Sequence, residues 1–166
     1  MAIQRLIDAL NQLVDVHQTM LVSGQAKKEA IMKDDIESLI QIMNQESRVL
    51  KRIAALEEER VAACQAFLQE KGIKSALNLN ITELARLVFD PEEKKALLHT
   101  QESLSKTLNE LKFMNDLNQK LIEQSLAFIN YSVELLGASP MQEATYAPPT
   151  DKPTGSKGPG FFDARA

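Results

Sequence analysis

The sequence predicts an all-α protein: an elongated antiparallel helical bundle or coiled coil of three long helices, a short bridging helix, and a disordered C-terminal tail. Three observations predict it. Of six glycines and six prolines, only Gly24, Gly72 and Pro91 fall within the first 136 residues. Proline cannot donate to a helical ladder and glycine loses most entropy when ordered, so their scarcity permits long helices there and their crowding forbids them afterwards. Apolar residues recur at three- and four-residue spacing throughout the first part, the period of a helix with one covered face. No run of alternating residues is long enough to compete as a strand.

The elements follow in order. A first helix, about 2–33, carries Ile3, Leu6, Leu10, Leu13, Val14, His17, Met20 and Leu21 on one stripe. A second, about 35–71, is opened by Asp34 as N-cap with Glu37 at the third helical position. It carries Leu39, Met43, Leu50, Ile53, Cys64 and Phe67, and Gly72 closes it. A short helix, about 81–89 (ITELARLVF), bridges to the last. Asp90-Pro91-Glu92-Glu93 then supplies a cap, a proline at the first helical position and acids in the first turn. The last helix, about 91–136, carries Leu97, Leu104, Leu108, Leu111, Ile122, Ile129, Val133 and Leu136, and Gly137 ends it. At about 1.5 Å per residue it would be roughly 69 Å long, and it needs packing partners along its length. Short connections make sequential long helices antiparallel. The chain therefore divides into a helical domain, 1–137, and a Pro/Gly-rich tail, 138–166.

Polar residues interrupt the stripes. Glu46, Glu57 and Arg60 fall on the second, and Asn115, Asn118 and Ser125 on the last. Two readings stand. The stripe can drift, because an ideal helix does not hold a strict seven-residue seam, and Leu56, Met114, Leu117 and Leu121 lie one position away. Alternatively, these residues fix register or contact a partner helix, as a buried Asn does in a coiled coil.

Composition excludes several functions. Nineteen basic against 23 acidic residues leave a net charge of −4, without the basic footprint of a nucleic-acid binder. Aromatic residues are 5% of the chain, too few for a base-stacking surface. The single Cys64 permits no intramolecular disulfide. The start, MAIQRLIDALNQL, is broken by Arg5 and Asp8 and does not read as a signal peptide. No apolar run approaches the ~20 residues a membrane span requires, so stable membrane insertion is not expected and a cytoplasmic location is. Catalytic motifs are missing. Neither His17 nor His99 completes a Glu-x-x-His step, and no glycine-rich phosphate loop occurs. No enzyme activity, cofactor or metal is expected, and Cys64 reads as packing.

Three segments carry a resemblance. The second helix contains Glu46-x-x-x-Leu50-x-x-Ile53-x-x-Leu56-Glu57-x-x-Arg60, preceded by KKEAIMKDDIESL. The last contains FMNDLNQKLIEQSLAFINYSVELL, with Asn115, Asn118, Leu121 and Ile122 in an N-x-x-N-x-x-L-L pattern followed by an apolar run. The tail holds Tyr146-Ala-Pro-Pro and ends in FFDARA. In this order and spacing they resemble the FlgN-type flagellar export chaperones. The resemblance implies a cytosolic chaperone that holds the terminal helices of hook-associated (hook-filament junction) proteins and delivers them to the flagellar type III export gate, of the FlhA type. It implies client contacts at Asn115, Asn118, Leu121, Ile122 and Ile129, and gate contact at Tyr146. An open seam also allows a homodimer. The competing expectation is a structural or scaffolding coiled-coil adaptor, built from the same helices and serving no client.

Overall fold

The computed structural model describes residues 1–74 and 79–137. All regular structure among them is helical: α1 (Ala2–Met32), α2 (Ile36–Glu70), α3 (Ile81–Ala85) and α4 (Pro91–Leu135). The chain separates into two units, Met1–Glu123 and Gln124 onward. The expected tail, and with it Tyr146, Phe161 and Phe162, lies outside the described residues.

The turn between α1 and α2 corrects one expectation. Asp34 adopts a left-handed backbone, φ 55°. The Asp34 N–H donates to the Ile31 carbonyl and the Asp35 N–H to the Ala30 carbonyl, which closes α1 in the double hydrogen-bond pattern of a Schellman turn. Asp34 therefore ends α1 rather than starting α2. Asp35 is the N-cap of α2, accepting from the Ser38 backbone N–H at 3.1 Å and the Ser38 hydroxyl at 2.7 Å. Two adjacent acids divide the work because an aspartate tolerates the left-handed region that a connection this short needs. Gly72 and Gly137 occupy the same closing position after α2 and α4, with φ near 75°.

Within the first unit, side-chain pairs fix direction. The Ala2 N–H donates to Glu70 Oε1 at 3.2 Å, Arg5 pairs with Glu59, and Lys27 pairs with Glu46 at 2.9 Å. Residue numbers fall on α2 as they rise on α1, so the two are antiparallel. Residues of α4 meet α1 in the same chain sense: Thr100 Oγ1 donates to Asn11 Oδ1 and Asn118 Nδ2 to the Gly24 carbonyl, each at 2.9 Å.

The core gathers at one end of this unit. Leu6, Leu10 and Leu13 of α1 meet Ala63, Phe67 and Leu68 of α2, Leu84 and Ala85 of α3, then Val88 and Leu97. Each large aliphatic side chain so buried is worth about 1.5–3 kcal/mol. The bridging helix stops at Ala85, four residues short of its expected end. Its start is set by a capping box in which Asn80 Oδ1 accepts from the Glu83 N–H and Glu83 Oε2 from the Asn80 N–H. The chain then turns so that Val88 enters the core while Phe89 stays outside, with Lys71 Nζ 4.5 Å from its ring centre.

Candidate functional site

Helix α4 holds every described residue assigned to a client, and the structure sorts them. The inward stripe of α4 runs Leu97, Thr100, Leu104, Thr107, Leu111, Met114, Asn118 and Leu121, each buried or half-buried. Asn118 lies on it, 4% exposed, and its amide nitrogen is bound to the Gly24 carbonyl of α1. Its Oδ1 is buried without a partner. Asn115 and Ile122 lie off that stripe and are exposed, with Leu121 at its border. Ile129 belongs to the second unit and is exposed there.

Gly24 explains why α4 carries Asn118 at this point. A helix interior disfavours glycine by about 1 kcal/mol relative to alanine. Here a Cβ would stand 2.8 Å from Met114 Cγ, closer than packed carbons approach. The missing side chain lets Met114 and Asn118 reach the α1 backbone. The buried polar residue of α2 is also tied to α1. Glu46, off the solvent face at 8% exposure, is paired with Lys27 of α1. Both drift and register fixing therefore operate. Met114, Leu117 and Leu121 take half-buried positions where the strict seam would place Asn115 and Ile122, while Glu46 and Asn118 are tied to α1.

An open groove of about 620 Å³ runs between Leu21, Val22 and Gln25 of α1 and Asn109, Glu110, Phe113 and Met114 of α4. Val22 and Phe113 are each about 70% exposed. Reading the stripes alone missed both. The available signal was their placement off the buried stripe, where a large apolar side chain has no core to enter.

The second unit, described by itself, is the end of α4. From Leu126 to Leu136 it exposes Leu126, Phe128, Ile129, Tyr131, Leu135 and Leu136. An apolar concentration of this kind on a short helical stretch marks an interaction surface.

Burial pushes the Cys64 thiol above its usual range, and Arg60 Nη1 at 3.9 Å only partly opposes this, so the thiol stays protonated and a poor nucleophile. Arg60 is itself engaged by Glu57 at 3.0 Å. His17 Nδ1 lies 2.7 Å from the Leu13 carbonyl of its own helix. Among the described residues, no group of three or more His, Cys, Asp or Glu is placed to hold a metal, and no helix is long and apolar enough to cross a membrane.

Comparison with known proteins adds what the geometry leaves open. The FlgN protein family matches residues 1–153. The chain belongs to the FlgN family. Its members are flagellar export chaperones, which bind flagellar client proteins and are not enzymes. The uncharacterized protein YvyG of Bacillus subtilis (strain 168) is 28% identical to it over 138 residues, covering 82% of this chain and 81% of that protein. No solved structure matches the chain.

Proposed function

We propose that this FlgN-family protein is a cytosolic chaperone of hook-associated proteins, holding a terminal client helix against the exposed surface of α4 and delivering the client to the flagellar type III export gate. The observation that carries the reading is the end of α4. Six apolar side chains between Leu126 and Leu136 face solvent there, close together on one short stretch. An unassembled client helix has the complementary problem, an apolar stripe that aggregates in water. Laying one against the other covers both in a helix-to-helix mode.

Four of the residues implied by the family pattern take distinct parts. Ile122 and Ile129 supply apolar contact, Asn115 a polar contact at the rim, and Leu121 the border between client and own core. Asn118 acts indirectly, by holding α4 to Gly24. The exposed polar neighbours of this surface, Glu123 and Gln124 among them, dilute its hydrophobicity. That keeps the affinity low enough for release. Tyr146 contacts an FlhA-type platform and leaves the client surface untouched.

Calorimetry with a purified hook-associated protein tests this. The full chain gives a saturable heat; Ile129→Asp weakens binding by tenfold or more, about 1.4 kcal/mol. Tyr146→Ala leaves client binding intact and weakens docking to the gate. Absence of saturable heat with every hook-associated protein of the same cell rules the reading out.

A further inference from the structure

Helix α2 carries a second apolar face that the chaperone reading does not use. Ile36, Ile40, Met43, Leu50 and Val61 are 42–67% exposed although all are aliphatic. With Ser47, Ala54 and Glu57, also exposed, they stand at alternating steps of four and three residues, the seam of a two-helix coiled coil. This seam lies beside the stripe that α2 buries against α1, formed by Glu46, Val49, Ile53, Leu56 and Ala63. All of it belongs to the first unit.

We propose that this face binds a second copy of the chain, α2 against α2, antiparallel, about a two-fold axis passing between Arg48 and Val49. The seam is complementary to itself in that arrangement. Reversing the helix about that point sets Leu50 against the partner copy's small Ser47, Met43 against its small Ala54, and Ile36 against its Val61. Large meets small at the two inner layers, which lets the backbones approach. The Ser47 hydroxyl already donates to the Met43 carbonyl at 3.1 Å, so covering it leaves no donor unpaired. The remaining layer sets Ile40 against Glu57, whose carboxylate is neutralised by Arg60 of its own helix. A parallel pairing in register fails on the same residues. It stacks Glu57 on Glu57, Met43 on Met43, and Ser47 and Ala54 each on itself, which leaves like charges facing and the small layers underfilled. An isologous contact of this kind closes after two copies and grows no further. The seam spans 25 steps of helix, about 38 Å. Its polar layer and small residues suit a reversible dimer rather than an obligate one.

The dimer is independent of client capture on α4, and the two fail separately. Sedimentation equilibrium of the full chain across roughly 1–100 μM, the range of weak association, should show a reversible monomer–dimer mixture. Leu50→Glu should raise the dissociation constant by about thirtyfold or more, the loss expected when a buried leucine is replaced by a charge. Arg52→Glu, off the seam, should change it little. Circular dichroism should be unaltered in both variants, since both side chains are exposed in the monomer. Orientation is read by a spin label at Glu37→Cys in a Cys64→Ser background. The antiparallel pair separates the two labels by about 35 Å along the axis, whereas a parallel pair holds them near the ~10 Å spacing of packed helices. A single 18.5 kDa species at every concentration, a dimer indifferent to both Leu50→Glu and Met43→Glu, or a short label distance would each overturn the proposal. So would a monomer in which Leu50→Glu abolishes heat with a hook-associated protein, which would give the face to the client instead. Ile129→Asp should leave the dimer unchanged whatever it does to client binding.

Discussion

Asn118 and Gly24 form one device. The asparagine amide reaches the Gly24 carbonyl because no Cβ holds Met114 away. Two opposing effects meet in Gly24→Ala. The helix gains about 1 kcal/mol from alanine, and overpacking against Met114 costs about 1–3 kcal/mol. The clash wins, so Gly24→Ala is expected to destabilise the chain in urea titration. In a Met114→Ala background the same substitution should become stabilising. If it destabilises equally in both backgrounds, the close approach is not the reason for the glycine. Asn118→Ala removes a buried hydrogen bond and should lower stability by about 1 kcal/mol. Ile122→Asp should leave stability nearly unchanged, because Ile122 already faces water. Loss of client binding by Ile122→Asp without loss of stability, measured on the same preparations, separates the outward residue from the inward one.

Caps govern the elements. The Asn80–Glu83 box starts α3, which has only five residues to hold Leu84 and Ala85 in the core. Asn80→Ala is expected to cost about 0.5–2 kcal/mol by thermal unfolding, and Asn80→Ser much less. Exposed carboxylates set the acid response. The Ser38 hydroxyl and backbone N–H lower the Asp35 carboxyl below its ordinary value, and the hydrogen bond from Arg5 does the same to Glu59. A lowered folded value means the contribution is complete above the unfolded value, about 4, and disappears as pH falls through the folded one. The melting temperature should therefore hold from neutral pH to about pH 5 and fall below about 4. Asp35→Asn keeps a capping oxygen without the charge and should flatten part of that fall.

The elements also show how far local pattern reaches. The three long helices end within a residue or two of their expected positions, because proline, glycine and acidic caps act within a turn of where they stand. Asp34 is the exception. Its composition suited a cap, but which of two adjacent aspartates closes α1 depends on the direction in which α2 must leave. The end of the bridging helix was similarly misplaced at 89. ITELARLVF has the period of a helix, yet burying Val88 requires the chain to turn before it.

For the whole molecule, a helical client that binds the folded chain raises its stability by mass action, about 2.7 kcal/mol at a hundred times the dissociation constant. For a chain of this size each kcal/mol moves the midpoint by about 2–4 °C. A hook-associated protein at that excess should raise the melting temperature by roughly 5–11 °C, read by scanning calorimetry. An unmoved midpoint at saturating client would contradict binding to the folded state. With a net charge of −4 and no basic cluster, the protein should show little salt dependence toward nucleic acid.

The sequence by itself determined the helices, most of their ends, and a family pattern that the FlgN match over residues 1–153 bears out. These are local properties, set by the 3.6-residue period and by residues that cannot continue a helix. Only the tertiary structure decided which polar seam residues turn inward. At 100° per residue, Leu121 and Ile122 point about 100° apart and Asn115 and Asn118 about 60° apart, so each pair divides between inside and outside according to which arc the neighbouring helix covers. That arc is chosen by the close approach at Gly24 and by the Lys27–Glu46 pair on α1 and α2. Each joins residues far apart in the chain, which no stretch of sequence contains together.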